Sequence, residues 1–327
     1  MDLPADLLLL ALKNAHARDA RIRFDEKAHI YFIDGAKYPS SVSGIIHDHF
    51  PSFDAVGTVE KYYANWARNK ENKYFPLINY LTRVLGFPEQ VAKGEIARSW
   101  NAAGTHASSA GTHTHLQIEY MLNGEAHVAD TPEFRQFLEW KATHPTWEAY
   151  RTEWSVFSEP ELCCGQIDSI FQDEHGALHM VDWKRVADMK MVSGFQNQCG
   201  FDPVHALPNT NFYHYVLQQN IYSWMVEQRY GLQIASMCLV QVHPDISTFK
   251  EHPLPRIDKE VGIIMERRRE RVTAGELVTV SAEMVAASAL KRKEHPADES
   301  LEAARRAGIL KYLRARVAEL EAELEVA

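Results

Sequence analysis

Apolar and polar positions alternate with period two in some stretches of the chain and recur every three to four residues in others, which predicts a mixed α/β protein. Residues 21–33 alternate and turn about Asp25 to Ala28, a β-hairpin ended by Asp34-Gly35. Pro39-Ser40-Ser41 then caps a helix running to about His49. From Val56 to Leu122 the spacing is helical, with breaks expected near Pro76, Pro88 and Gly104 to Gly111; this is a helical lobe. Another helix is predicted over 132–144, then strands over 150–158, 163–172 and 177–184. A long helix from about Asn211 to Tyr230 ends at Gly231, and strands follow over 233–242 and 247–252. Strand, strand, strand, helix, strand describes a mixed sheet flanked by helices.

No internal repeat or low-complexity tract precedes the tail. From Ser281 onward the chain is rich in Ala, Glu, Arg and Lys, and Leu310, Leu313, Val317, Leu320 and Leu324 form the apolar seam of a C-terminal helix packing on another helix. Three segments are therefore expected: 1–145, the hairpin and helical lobe; 146–275, the sheet core; and 276–327, a helical tail.

At 327 residues, 46% hydrophobic and 24% charged, the composition is that of an ordinary globular protein and excludes disorder for most of the chain. The run from Leu7 to Leu12 falls far short of the ~20 residues a membrane span needs. The N-terminus also lacks the basic region of a secretory signal, so an intracellular setting, whether cytoplasmic, nuclear or viral, is expected. A net charge of −9 rules out attraction to nucleic acid by bulk charge, so any phosphate-binding surface must be local. The four cysteines, Cys163, Cys164, Cys199 and Cys238, do not read as a disulfide framework.

Candidate chemistry concentrates in Gly165-Gln166-Ile167-Asp168 and Val181-Asp182-Trp183-Lys184. Asp182 and Lys184 are two apart on a predicted strand and leave by one face, while Val181 and Trp183 point to the other. If Asp168 pairs opposite Asp182 across a hairpin, their Cβ atoms lie about 5 Å apart, and two such carboxylates repel unless a cation sits between them. A hard divalent ion such as Mg²⁺ fits, with Lys184 orienting or deprotonating the attacking water. Taken alone, the Asp, Asp-x-Lys pattern arises often by chance, in solvated acids at strand ends. Two further segments strengthen it. Gly111-Thr-His-Thr-His115 opens a helical stretch that puts His115 and Glu119 on one face, and Gln218 and Tyr222 lie one turn apart on the long helix after the sheet.

Taken in order, Gly111-x-x-x-His115, Gly165-x-x-Asp168, Asp182-x-Lys184 and Gln218-x-x-x-Tyr222 resemble the RecB-like branch of the PD-(D/E)XK nucleases over about residues 100–245. The N-terminal hairpin with Tyr38-Pro-Ser-Ser-Val-Ser43 is similar to viral and phage exonuclease-type members. The resemblance implies a restriction-endonuclease-like mixed sheet flanked by helices. It implies His115, Asp168, Asp182 and the Trp183 carbonyl as metal ligands, Lys184 as the catalytic lysine, and Gln218 and Tyr222 as the motif on the DNA-facing helix. Glu119 and Glu153 are further acids beside that set. The implied cofactor is Mg²⁺, with Mn²⁺ able to substitute. The cysteine spacing departs from that of relatives carrying an iron–sulfur cluster, so none is expected. No Walker loop or helicase segment is present, so the motor, where one is needed, would be a helicase or recombination partner.

The expectation is thus a Mg²⁺-dependent deoxyribonuclease, an exonuclease on single- or double-stranded DNA ends in repair, recombination or replication. The alternatives are a structure-specific endonuclease or RNA-directed nuclease, and a non-catalytic nucleic-acid-binding protein that kept the fold. The sequence leaves polarity, the number of metals and the oligomeric state open. The basic run Arg267-Arg268-Arg269-Glu270-Arg271 and the shorter Lys291-Arg292-Lys293 are weighed as DNA contacts against solvated helix faces. His106, His113 and His115 match no standard zinc spacing. Trp66, Tyr74, Phe75 and Trp100 read as core more readily than as base-stacking groups.

Overall fold

The computed structural model describes residues 9–26, 28–124, 130–192 and 197–285. One unit contains residues 1–34 and 38–278; a second contains 35–37 and 279 onward. In the second, β3 (Ala36–Lys37) pairs antiparallel with β10 (Val280–Ser281). The leucine seam and Lys291-Arg292-Lys293 lie outside the described residues.

The first unit starts with a short helix, α1 (Leu9–Lys13), and the hairpin β1 (Ile22–Asp25) and β2 (Ile30–Ile33), in register Ile22 opposite Ile33. After β4 (Ser40–Ser41), the Ser41 hydroxyl accepts from the Gly44 backbone N–H, an N-cap that starts α2 (Val42–His49) where the sequence placed it. Helices α3 (Ala55–Trp66) and α4 (Phe75–Asn79) then pack with α5 (Glu89–Leu122) around Val59, Tyr63, Ile78, Leu81, Ala92 and Ile96. Trp66, Tyr74 and Trp100 edge that cluster.

The break expected at Gly104 to Gly111 is absent: α5 runs unbroken through both glycines. Each glycine costs only about 1 kcal/mol relative to alanine, and no proline interrupts the backbone ladder. Thr105, Thr112 and Thr114 turn their hydroxyls back onto carbonyls four residues earlier, so they do not compete with the helix for its N–H groups. Both ends of α5 are anchored, at Ala92 and Ile96 in the lobe and at Ile118 on the sheet, while residues 101–109 are exposed.

Beyond α6 (Pro132–Thr143) come β5 (Glu148–Ser158), β6 (Cys163–Gln172), β7 (Leu178–Arg185), α7 (Asn211–Met225), β8 (Ile234–Val242), β9 (Lys250–Pro253) and α8 (Asp258–Thr273). α7 continues as a π-turn to Tyr230 and stops at Gly231, whose φ of +68° suits the residue without a Cβ. The sheet is mixed, in the order β4-β6-β7-β8-β9 with β5 also on β6; β4 with β6 and β7 with β8 are parallel, the rest antiparallel. Alternation along β7 sends Met180 toward α2, α7 and α8, and Val181 and Trp183 toward α5 and α6. Among the described residues no helix is long and apolar enough to cross a membrane.

The basic run on α8 is occupied internally and so departs from the reading as a DNA contact. Arg268 is buried and donates to the Glu161 and Leu162 carbonyls, Arg269 pairs with the buried Glu161, Arg267 with Asp202 and Arg271 with Glu276.

Candidate active site

The site forms where β7 parts from β6. Their ladder runs from Gln172 opposite Leu178 to Ser169 opposite Val181, and then stops. The next backbone donor of β7 on that side, the Trp183 N–H, is satisfied by the Asp168 carboxylate at 3.0 Å. Asp168 is thereby fixed at the fork. Alternation places Asp182 and Lys184 against α7, as the strand parity required, with Trp183 buried on the opposite face.

α5 reaches the fork from the other face. His115 Nε2 lies 2.9 Å from the Trp183 carbonyl oxygen, so that nitrogen donates and Nδ1 is left facing two carboxylates, Asp168 at 3.6 Å and Glu153 at 3.7 Å. One ligand atom from each of His115, Glu153 and Asp168 lies within 4.8 Å of the others. The hairpin makes this possible: Thr152 opposes Ser169 and Trp154 opposes Ile167, so Glu153 falls opposite Asp168. Like charges directly across a strand pair are unfavourable. Glu153 also holds a left-handed φ of +43°, rare for a residue with a Cβ and concentrated at functional sites.

Beside this trio is a second charged pair. Lys184 Nζ is 2.6 Å from Asp182 Oδ2, and Gln219 on α7 donates to Asp182 Oδ1 at 2.7 Å. The Tyr215 ring, one turn before Gln219, lies 4.6 Å from the ammonium. Asp182 is almost fully buried. Burial and the nearby Asp168 push its carboxyl up from the ordinary carboxylate range, and Lys184 pulls it back down. Burial disfavours the ammonium, but Asp182 and Asp168 outweigh it and raise Lys184, which stays charged. For His115, burial likewise lowers the pKa, while Asp168 and Glu153 raise it to about 9. The cation-free trio is thus two carboxylates around an imidazolium.

The remaining sequence candidates sit around this centre in different ways. Glu119, one turn beyond His115, is buried and pushed up to about 8 by desolvation and then by Glu153 and Glu26, so it is neutral at pH 7. Tyr222 packs its ring edge over Gly165, where any Cβ would meet ring atoms at 2.7 Å; the glycine of one motif and the tyrosine of another are a single packing contact. Gln218 is half-buried and its side chain makes no hydrogen bond to a described residue; its neighbour Gln219 is the amide that reaches Asp182. The Trp183 carbonyl adjoins the trio but accepts from His115. Asp182 is held by Lys184 and Gln219 and falls outside the close trio, whose third member is Glu153. Glu153, named from the sequence only as a further acid, is placed by hairpin register: with Ser158 opposite Cys163, residue 153 meets residue 168.

No protein-family model and no curated protein sequence matches the chain. Among solved structures, the chain is similar to SSO0001 over 70% of its own length and 74% of that chain, with a TM-score of 0.30 and 14% identity. It is also similar to a candidate exonuclease from Eubacterium rectale, over 74% of its own length and 84% of that chain, again with a TM-score of 0.30 and 14% identity.

Proposed function

We propose that this chain is a divalent-cation-dependent nuclease of the PD-(D/E)XK type that hydrolyses phosphodiester bonds of DNA, acting from DNA ends. The observation that carries this reading is the juxtaposition of two opposed carboxylates and an imidazole with a half-buried, charged lysine on the next strand. A binding module gains nothing from acids crowded where phosphate must approach.

The residues present fit a cation. Glu153 and Asp168 are hard oxygen donors that face each other, and His115 Nδ1 is turned toward both. Carboxylates suit Mg²⁺ and Mn²⁺, and the imidazole favours Mn²⁺ of the two. When bound, the ion would supply Lewis-acid stabilisation of charge developing on the phosphate.

The chain's own groups set what happens around it. Because the Trp183 carbonyl takes the Nε2 proton, His115 presents Nδ1 inward in one fixed tautomer. Lys184 is held charged by Asp182, so its ammonium donates: it can orient a water through that oxygen's lone pair and stabilise negative charge, but it is not a base in this state. Gln219 and the Tyr215 ring hold the pair in place from α7. Neutral Glu119 adds no further negative charge where phosphate would enter. The preference for ends rests on the resemblance of the N-terminal hairpin and the Tyr38 to Ser43 segment to exonuclease-type members.

The test is a gel assay on end-labelled linear, nicked and circular duplex DNA, and on single strands, with Mg²⁺, Mn²⁺ or EDTA. Shortening of linear DNA that needs the divalent ion is expected, with circles untouched. Cut circles would reassign it as an endonuclease, and no cleavage of any DNA with either ion would refute the reading.

A further inference from the structure

Most arginines on the first unit are neutralised internally, as with Arg185 on Glu133, Arg229 on Glu161, Arg256 on Glu227 and Arg267 on Asp202. The helical lobe is different. Between residues 61 and 83 the chain carries Lys61, Arg68, Lys70, Lys73 and Arg83 against the single carboxylate Glu71, in a protein whose net charge is −9. All five cations are exposed, and none forms an ion pair with a carboxylate among the described residues. Cations kept this free on an acidic protein hold their charge available for an anion from outside.

Aromatic rings lie between them. Lys61 Nζ is 5.2 Å from the centre of the Tyr62 ring; Tyr62 stacks on Trp66 at 5.9 Å with 19° between planes; Trp66 contacts Tyr74 at 4.7 Å; and Lys73 Nζ lies 4.9 Å from the Tyr74 ring. The result is one continuous strip, cation, three rings, cation, and each ring is half-buried. Trp100 braces it from below by donating to the Tyr74 hydroxyl at 2.6 Å. The i, i+7 spacing of Lys61 and Arg68, continued by helical hydrogen bonds past Trp66, puts both on the outward side of α3, away from Tyr63 in the lobe core.

We infer that the lobe strip Lys61, Tyr62, Trp66, Arg68, Lys70, Lys73 and Tyr74 is a binding track for single-stranded DNA, distinct from the cation site. Cations neutralise the backbone, and rings stack on bases that a duplex keeps hidden, so the combination selects a single strand. The identity of the polyanion as DNA rests on the proposed nuclease activity; the selectivity for unpaired bases rests on the strip itself. α5 links the two places: from Ile96, in the lobe core, to His115 is about 28 Å of helix, or roughly eight nucleotides at the rise of a stacked strand. A strand held on the lobe therefore reaches the fork only if it is at least about that long.

The experiment is fluorescence anisotropy with the full chain in EDTA, using labelled dT30, a duplex of equal length and an abasic oligomer. The variants are the quadruple Lys61→Ala, Arg68→Ala, Lys70→Ala, Lys73→Ala, whose changes are all at exposed positions, and Tyr62→Ala. The quadruple variant should bind dT30 at least 10-fold more weakly, with the slope of log affinity against log salt reduced by about 2 to 3, at about 0.7 per phosphate contact on a single strand. Tyr62→Ala should weaken dT30 but not the abasic oligomer. An unchanged affinity and slope in the quadruple variant would overturn the track, as would duplex or abasic binding as tight as dT30. Binding is read without divalent ion, so an inactive fork leaves this result intact, and the two readings fail separately.

Discussion

His115 must release a proton before it can hold a cation, and this ties metal affinity to pH with a slope that can be worked out. In the cation-free site burial works against the imidazolium, but Asp168 and Glu153 outweigh it and carry the pKa to about 9. Nδ1 is the nitrogen at stake, since Nε2 is committed to the Trp183 carbonyl. Below pH 9 a divalent ion competes with that proton, at a cost of about 1.36 kcal/mol per pH unit. Between pH 7 and pH 9 the apparent Kd for Mn²⁺ should therefore fall about 50-fold, close to 2.3 kcal/mol, and level off about one unit higher. Calorimetric titration in two buffers of different ionisation heat measures both the affinity and the proton released, nearly one per ion at pH 7. His115→Asn should bind more weakly at pH 9 and lose most of the slope. The reasoning is refuted if wild-type affinity is flat from pH 7 to 9, or if His115→Asn keeps the wild-type slope.

Further outcomes follow from the same geometry. Lys184→Ala should abolish cleavage while Mn²⁺ still binds, because the trio is intact; Asp182→Asn should also abolish it, with DNA affinity in EDTA held or raised as a buried negative charge is removed. Cleavage by Lys184→Ala at the wild-type rate would place the chemistry elsewhere. Glu119 has its folded pKa raised above the unfolded value near 4.5, so its contribution to stability is full below pH 4.5 and is lost as pH rises through about 8. Glu119→Gln should therefore raise the melting temperature at pH 9 relative to wild type and lose that advantage at pH 5; a shift equal at both pH values would show that Glu119 does not titrate there. Gly165→Ala forces a Cβ to 2.7 Å from the buried Tyr222 ring and should destabilise by about 1–3 kcal/mol, read as a lower urea midpoint. An unchanged midpoint would mean the ring can withdraw.

The sheet and its flanking helices were legible because strands β5 to β8 alternate between two buried faces and α7 is bounded by a threonine cap and Gly231. The unbroken course of α5 was not, since glycine at 104 and 111 favours a break locally, while anchoring at both distant ends, with no proline between, carries the helix through. At the fork, strand parity alone sends Asp182 and Lys184 to one face. It could not show that Gln219, rather than Gln218, meets Asp182, because that depends on the rotation of α7 about its axis, which is set by Val216, Leu217 and Ile221 in the core. The place of Glu153 is hidden for a similar reason: it comes from hairpin register, which depends on turn length and not on local composition. The runs at 267–271 and 61–83 look alike as strings of basic residues. They differ in what surrounds them: α8 packs beside the buried Glu161, whereas of the carboxylates near the lobe cations Glu60 is taken by Lys93 and Glu71 is exposed.

Glu153, Asp168 and His115 also bear on how the chain folds without metal. Two carboxylates facing each other across β5 and β6, one on a left-handed backbone, would weaken the hairpin on which the sheet is built. The imidazolium relieves that repulsion, and α5 brings it there while its other end is fixed in the lobe. On the proposed cation binding, proton and divalent ion would be alternative occupants of one electrostatic position. Lys184 on the next strand is held charged first by Asp182, which stands outside the trio, and then by Asp168, which belongs to it. On the proposed function, Asp182, the acid nearest the lysine and outside the trio, would keep the ammonium charged for an approaching phosphate whether a proton or an ion sits among His115, Glu153 and Asp168.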